Sequence, residues 1–375
     1  MTARETSVDV TVIPTTGPGD VSGLLRLIDA GTISPDSILA ILGKTEGNGG
    51  VNDFTREYAV SALSHALAPH VGLPAHQVEH KIAFVMSGGT EGVLSPHLTV
   101  FSRHALNAGD ADPGLIGKRL SIGIAQTRDF LPEELGRAAQ IDETASAVRI
   151  AMKDAGIDDV SDVHFVQIKC PLLTSERIEA AQARGQATVT TSAYGSMAWS
   201  RGASALGVAA ALGEINPGID DAAVLKRWDL FSSVASASAG IELMHNVVIV
   251  LGNAASSASP FVIGHAVMAD AIDSAAVIDA LQSVGLWAKD QPDPTVPGRL
   301  VNIFAKAEAS PNGTVRGRRH TMLDDTDISA TRHARAAVGG LISGLAGTGA
   351  VYVSGGAEHQ GPPGGGPVAV IARVG

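Results

Sequence analysis

Three short runs place the same chemistry at three points of the chain. Ser87-Gly88-Gly89-Thr90-Glu91, Ser238-Ala239-Gly240-Ile241-Glu242 and Ser354-Gly355-Gly356-Ala357-Glu358 share the pattern Ser-(Gly/Ala)-Gly-x-Glu. Upstream of each serine an apolar run closes on a lysine: Ile38 to Leu42 before Lys44, His164 to Ile168 before Lys169, and Val301 to Phe304 before Lys306. Between lysine and serine a Ser/Thr-Arg pair opens a helix-patterned segment of small residues: Arg56 in Thr55-Arg56, Arg201 in Ser200-Arg201, and in the third copy Arg332 or Arg335. Arg332 matches the Thr-Arg pair. Arg335 keeps the helical phase, with Ile342 seven residues on as Leu63 is from Arg56, and the phase favours Arg335.

Burial and crowding by like charges depress an ammonium pKa. A neutral lysine amine can then take the proton of a serine hydroxyl and create a nucleophile for acyl transfer. Glycine beside the serine lets a carbonyl oxygen approach main-chain N–H groups, which stabilise an oxyanion. Taken singly, serine and glycine at strand ends are ordinary turn formers. Recurrence of three polar residue types in one order is harder to explain by structure, because apolar repetition alone suffices to keep a core. Lys44 and Lys306 each have a glutamate two residues on, Glu46 and Glu308, whereas Lys169 is followed by Cys170 and Pro171. A neighbouring carboxylate keeps an amine protonated. This contrast selects Lys169 as general base and Ser238 as nucleophile, leaving the other two pairs to hold the ligand.

The elements that must position these groups repeat as well. Each third opens with a strand and a helix: Val8 to Val12 then Val21 to Ala30, Arg119 to Ala125 then Glu143 to Ala155, and Phe261 to Met268 then Ser274 to Val284. The lysine strand, the arginine helix, the serine strand and a last strand follow, an α/β alternation. Stretches 107–114 and 253–260, rich in small and polar residues, divide the chain into units 1–106, 115–252 and 260–375. Three such units pack most simply about a pseudo-threefold axis, with a barrel-like core and helices outside. Near that axis the three lysines, arginines and serines share one pocket. So many cations suit a small electron-rich or anionic ligand, and the symmetry suits a flat ring of alternating carbonyl and N–H groups.

Composition agrees with a globular catalyst. The 375 residues carry 27 Lys+Arg and 38 Asp+Glu, a net charge of −11, which disfavours nucleic acid as a partner. With 45% hydrophobic but 4% aromatic residues and 43 glycines, the core is expected to be aliphatic on closely approaching backbones. No apolar run reaches the roughly 20 residues that span a bilayer, and Met1 to Pro14 alternates polar and apolar residues, so a cytoplasmic location is expected. Cys170 is the single cysteine, which excludes an intrachain disulfide or a thiolate-rich metal site.

The runs Gly43-Lys44-Thr45-Glu46-Gly47-Asn48-Gly49, Ser87 to Gly92, Lys169-Cys170-Pro171-Leu172-Leu173 and Ser354 through Gln360 to Gly366 resemble the ring-opening amidohydrolases, the family of cyanuric acid hydrolases and barbiturases. The resemblance spans essentially the whole chain. It implies a three-unit α/β barrel-like fold, a Lys–Ser dyad in each unit, a homotetramer and hydrolysis of one ring C–N bond without a cofactor for the chemistry. For cyanuric acid the product is carboxybiuret, which decarboxylates to biuret; the alternative is barbituric acid opened to ureidomalonate. It assigns catalysis to Lys169 and Ser238, and substrate contacts to Arg56, Arg201, Arg335, Ser87-Gly88, Ser238-Ala239 and Ser354-Gly355, with Lys44 and Lys306. It also implies a structural Mg²⁺ or Ca²⁺ held by Glu308 and main-chain oxygens of Ala357, Gln360, Gly361, Pro362 and Gly365, hard ligands of the kind these ions take.

Other motifs compete. Gly43-Lys44-Thr45 looks like the end of a phosphate-binding P-loop, but Ile38 stands where that motif needs glycine. His76-Gln77-Val78-Glu79-His80 fits the H-x-x-E-H pattern of inverted zinc peptidases. A zinc peptidase using His76 and His80, and a noncatalytic small-anion-binding protein, are therefore the rival readings. No G-x-S-x-G or S-x-x-K motif occurs.

Overall fold

A computed structural model describes residues 5–107, 115–288, 291–292 and 296–375. Most of the expected first boundary, at 108–114, and residues 1–4 of the first expected unit lie outside the described residues. Twelve strands build three four-stranded sheets. The first holds β1 (Thr6–Pro14), β2 (Ile38–Thr45), β3 (Ala83–Gly88) and β4 (His97–Ala105). The second holds β5 (Arg119–Gln126), β6 (Val163–Pro171), β7 (Ala235–Gly240) and β8 (Val247–Ala254), and the third β9 (Phe261–Met268), β10 (Leu300–Ala307), β11 (Tyr352–Gly355) and β12 (Gly366–Arg373). Two helices recur with each sheet, α1 (Ser22–Asp29) and α2 (Phe54–Val71), α3 (Ala138–Asp154) and α4 (Ala193–Ala211), and α5 (Ser274–Ser283) and α6 (Ala330–Ala346), and the second unit adds a helix at Ser175–Ala183.

The sheets share one strand order: β1-β4-β2-β3, β5-β8-β6-β7 and β9-β12-β10-β11. In each, the lysine and serine strands are parallel neighbours. Parallel neighbours need a crossover, and α2, α4 and α6, the arginine helices, supply it. Each sheet also shifts register at the start of its lysine strand, between Ile38 and Ala40, Val163 and Phe165, and Leu300 and Asn302. The repetition read from the polar residues thus extends to backbone irregularities.

Period-two alternation gives every strand two faces, and the lysine strands bury both. The inner faces of all three sheets meet in one apolar cluster that includes Leu42, Phe101, Phe165, Leu251, Phe304 and Ile371. Phe304 is its hub, with ring centroids 6.3 Å from Phe101, 5.3 Å from Phe165 and 5.6 Å from Tyr352. The outer faces pack on helices, through Leu24, Leu63 and Leu67 on the first sheet, Val148 and Val208 on the second, and Leu281 and Ile342 on the third. The core is therefore barrel-like with helices outside, although the sheets stay separate in their hydrogen bonding.

One expectation about helix boundaries fails. Ser200-Arg201 does not open its helix, because α4 starts at Ala193 under a Ser192 side chain that accepts from Gly195 N. In α2 the expectation holds, since Asp53 caps the helix by accepting from Thr55 N and puts Arg56 in the first turn. Small residues through Ala203, Ala205 and Ala209, all buried, let α4 run on in both directions against its sheet. No helix among the described residues is long and apolar enough to cross a membrane.

Candidate active site

The C-terminal ends of the lysine and serine strands open onto one small cavity. Its lining is Arg56, Ser87, Gly88, Arg201, Ser238, Ala239, Arg335, Ser354 and Gly355, joined by Gly49 and Met197. Residues from all three sheets are thus brought together, as the repetition required. Strand register does the alignment: Lys44 lies opposite Ser87, Lys169 opposite Ser238 and Lys306 opposite Ser354. Ser238 Oγ and Ser354 Oγ are 3.1 Å apart.

The lysines lie behind the serines, at most 1% exposed. Lys44 Nζ donates to Ser87 Oγ at 3.2 Å and to Val353 O, in the next unit, at 2.8 Å. Lys306 Nζ repeats this one unit on, donating to Ser354 Oγ at 3.2 Å and to Ala237 O at 2.9 Å. It also reaches Gly355 O at 3.1 Å. Lys169 breaks the pattern. Its Nζ hydrogen-bonds neither a main-chain carbonyl nor Ser238 and instead forms an ion pair with Glu242 Oε1 at 2.6 Å.

The arginines show the same rule and the same exception. Arg335 grips Glu91 through Nε at 2.8 Å and Nη2 at 2.6 Å, and Arg201 grips Glu358 through Nε at 2.7 Å and Nη2 at 2.6 Å. Both are two-point contacts between neighbouring units. The third member would be Arg56 with Glu242. Glu242 has turned to Lys169 instead, leaving Arg56 to donate to Ala239 O at 3.1 Å and Gly50 O at 2.7 Å, while its Nε closes no hydrogen bond and faces Asp53 Oδ2 at 4.0 Å. The backbone follows suit. Gly89 and Gly356 hold φ of 108° and 77°, and a Cβ on them would lie 2.5 Å from Arg335 Nε and 2.6 Å from Arg201 Cζ. Those two glycines clear space for the arginines.

Two parts of the electrostatic expectation are corrected here. Glu46 is exposed and Glu308 forms no ion pair with Lys306, whereas Lys169, expected to lack a carboxylate, is the lysine that holds one. Sequence distance misled, because the carboxylate comes from the far end of the serine run. Nor is the pocket strongly cationic: Glu91 and Glu358 neutralise two guanidinium groups, and the amines are depressed. Burial, then Arg335, holds Lys44 well below the usual lysine range. Burial, then Arg201, brings Lys306 down to about 7. Burial lowers Lys169 against the pull of Glu242. Burial pushes the Glu242 carboxyl up, but Lys169 and Arg56 outweigh it and hold it near 2. Such a site suits a neutral or weakly acidic polar ring better than a fully charged anion.

The third arginine is resolved as the helical phase favoured. Arg335 is 2% exposed and lines the cavity, while Arg332 sits outside on the surface, its Nε 3.1 Å from Glu91 Oε1. Sequence reasoning gave no role to Glu91, Glu242, Glu358, Asp53, Met197 or Tyr352. The three glutamates did carry a signal, their recurrence in the serine runs, but nothing in that pattern names their partners.

Glu308 lies beside the C-terminal glycine-rich loop, its Oε2 3.5 Å from Gly364 N. Burial and the nearby Glu358 raise its carboxyl to about 7 against the pull of Gly364 N, Arg201 and Lys306. A half-buried carboxylate among buried backbone at Ala357, Gln360, Gly361 and Gly365 fits a hard divalent cation. The rival zinc reading loses its geometry. His76 lies in a 3₁₀ turn (Ala75–Gln77) and His80 in a separate short helix (Val78–Lys81), so the motif does not lie on one continuous helix. Among the described residues no cluster of three or more His, Cys, Asp or Glu could hold a metal. The P-loop reading fails as well, because Lys44 is buried inside β2.

Three like α/β units in one chain, each bringing a Lys–Ser pair to a shared site, are the arrangement of an amide-cleaving hydrolase. The chain belongs to the amidohydrolase ring-opening protein family, whose profile matches residues 9–373. It is 74% identical over 372 residues to the cyanuric acid amidohydrolase of Bradyrhizobium diazoefficiens, covering 99% of both chains. It is 59% identical over 368 residues to that of Pseudomonas sp. strain ADP, covering 98% of this chain and 99% of that one. A solved cyanuric acid hydrolase, described as an evolutionary innovation by structural concatenation, superposes with a TM-score of 0.94 at 58% identity over 99% of this chain and 100% of that one. A second, from A. caulinodans, gives 0.89 at 49% identity over 99% and 100%.

Proposed function

We propose that this chain hydrolyses one ring C–N bond of cyanuric acid, giving carboxybiuret, which loses carbon dioxide to become biuret. The observation that carries this reading is the convergence of three register-matched Lys–Ser pairs and three arginines on one cavity. A ring presenting the same carbonyl and N–H edges in three directions meets an equivalent set on each side. The names of the relatives support the same substrate.

In this reading Ser238 is the nucleophile and Lys169, as the neutral amine, its base. Two lysines are tied to main-chain carbonyls and hold their positions. Lys169 is tied only to a carboxylate side chain that is itself 30% exposed, and can turn to Ser238 once Glu242 moves to Arg56, whose Nε closes no hydrogen bond. The Ser238 proton passes to Lys169, Ser238 Oγ bonds the ring carbonyl carbon, and the leaving ring nitrogen takes the proton back as the C–N bond breaks. Water then releases the acyl group. The other two pairs and Arg201 and Arg335 hold the remaining edges. A divalent cation held by Glu308 and the main-chain oxygens of Ala357, Gln360, Gly361, Pro362 and Gly365 would supply positive charge that fixes the loop carrying Glu358, and through it Arg201. The same reading includes a cytoplasmic homotetramer of units 1–106, 115–252 and 260–375.

The test is turnover of cyanuric and barbituric acids in parallel, followed by coupled carbon dioxide release. Preference for barbituric acid reassigns the substrate. Binding of both without turnover makes the protein a noncatalytic anion binder. Activity that survives Ser238→Ala but is lost with chelator and with His76→Ala makes it the zinc peptidase.

A further inference from the structure

Beneath the serines the three units differ, and one difference points a polar group at the nucleophile. Two residues before each serine, on the same strand face, stand Val85, Ser236 and Tyr352. Tyr352 is fully buried. Its ring is held by Phe304, centroid to centroid 5.6 Å, and the Lys44 amine lies 5.8 Å from the ring centroid. From the third unit the phenol reaches across the axis, so that its hydroxyl lies beside Ser87 and Ser238, one in each of the other units. Yet these approaches to the two serine hydroxyls fall short of hydrogen-bond geometry. A buried hydroxyl left unpaired destabilises a fold, and phenylalanine would fill the same space without that cost.

We propose that Tyr352 is a positioning residue for Ser238, its hydroxyl donating to Ser238 Oγ as that oxygen gives up its proton to Lys169. The proposal rests on the reading of Ser238 as nucleophile. The unpaired donor is then a group held ready for negative charge that exists only during turnover, which is where a preorganised hydrogen bond contributes most. Tyr352 keeps its own proton throughout: burial holds the phenol far above its ordinary range. The proton balance of the reaction is unchanged. At the equivalent positions Val85 carries no polar group and the Ser236 hydroxyl donates to Gln167 Oε1 at 2.9 Å within its own sheet, so the third unit supplies what the other two do not.

The test is Tyr352→Phe, which removes one oxygen from a well-packed ring, measured for kcat, KM and Tm beside Ser238→Ala and Ser87→Ala. Expected is a kcat lower by roughly 10- to 100-fold, KM within about twofold, and a Tm equal to or above that of the parent. The same fractional loss is expected when Tyr352→Phe is added to Ser87→Ala. An unchanged kcat, or a loss accompanied by a falling Tm, overturns the proposal. So does a loss that vanishes in the Ser87→Ala background, which would mean that the phenol acts through Ser87. Ser238→Ala with parental turnover removes the nucleophile itself, and the proposal with it. Ser238→Ala inactive beside a fully active Tyr352→Phe sinks the proposal alone.

Discussion

Lys169 Nζ lies 2.6 Å from Glu242 Oε1, while the equivalent carboxylates Glu91 and Glu358 turn from their lysines to clamp Arg335 and Arg201. One site of the three is therefore built differently, and it is the one containing Ser238. Arg56, whose Nε closes no hydrogen bond and lies 4.0 Å from Asp53 Oδ2, is where the Glu242 carboxylate would go if the rule held everywhere. Glu242 thus pairs with Lys169 while Arg56 also bears on its carboxylate, and on the proposed reading the choice between them sets whether Lys169 is an ammonium or a base.

Glu242→Gln removes the charge that favours protonated Lys169. The Lys169 pKa, already lowered by burial, should fall further. The acid limb of the kcat profile, where Lys169 takes up a proton and ceases to be a base, should then move to lower pH. An acid limb that stays in place would show that Lys169 is not the titrating base.

The three serines should separate kinetically. Ser238→Ala is expected to lower kcat by about 10³-fold or more, the scale of losing an activated nucleophile. Ser87→Ala and Ser354→Ala, which remove ligand contacts, should mainly raise KM. Steady-state kinetics on the three variants decides, and comparable kcat losses in all three would deny a single nucleophile.

Arg335 and Arg332 both touch Glu91, but Arg335 alone lines the cavity. Arg335→Ala should weaken substrate binding by roughly 10- to 100-fold, the worth of a charge-assisted hydrogen bond. Arg332→Ala should stay within about twofold. KM or a direct titration reads both.

Lys306 has a folded-state pKa of about 7 against an ordinary 10.5. Between those values the unfolded chain holds a proton that the folded chain does not, so stability rises with pH across that window and is flat below about 7 on this account. Lys44 and Lys169 are lowered in the same direction. Lys306→Met should therefore reduce, without abolishing, the slope of unfolding free energy against pH above 7. Denaturant melts at several pH values measure it.

If Glu308 holds a divalent cation, chelator should lower the Tm, added Mg²⁺ or Ca²⁺ should restore it, and Glu308→Gln should be indifferent to both. A parent Tm unmoved by chelator would leave the raised Glu308 carboxyl as a purely protonic feature.

Much of this architecture was legible in the chain because it is local. Apolar runs ending in Lys44, Lys169 and Lys306 are strands, and the runs beginning at Ser87, Ser238 and Ser354 end their parallel neighbours. A period repeated three times then implies an axis and a shared pocket. Even the choice of Arg335 over Arg332 follows from helical phase. What the chain could not display is which side chain turns to which across units. Arg335 meets Glu91 over a separation of 244 residues, Glu242 abandons Arg56 for Lys169, and Tyr352 points from the third unit at serines of the other two. Residue types repeat along a sequence, but a carboxylate equidistant in pattern from two cations is assigned by rotamer and burial. Those belong to the packed molecule, where desolvation and neighbouring charge choose between partners that the sequence leaves equivalent.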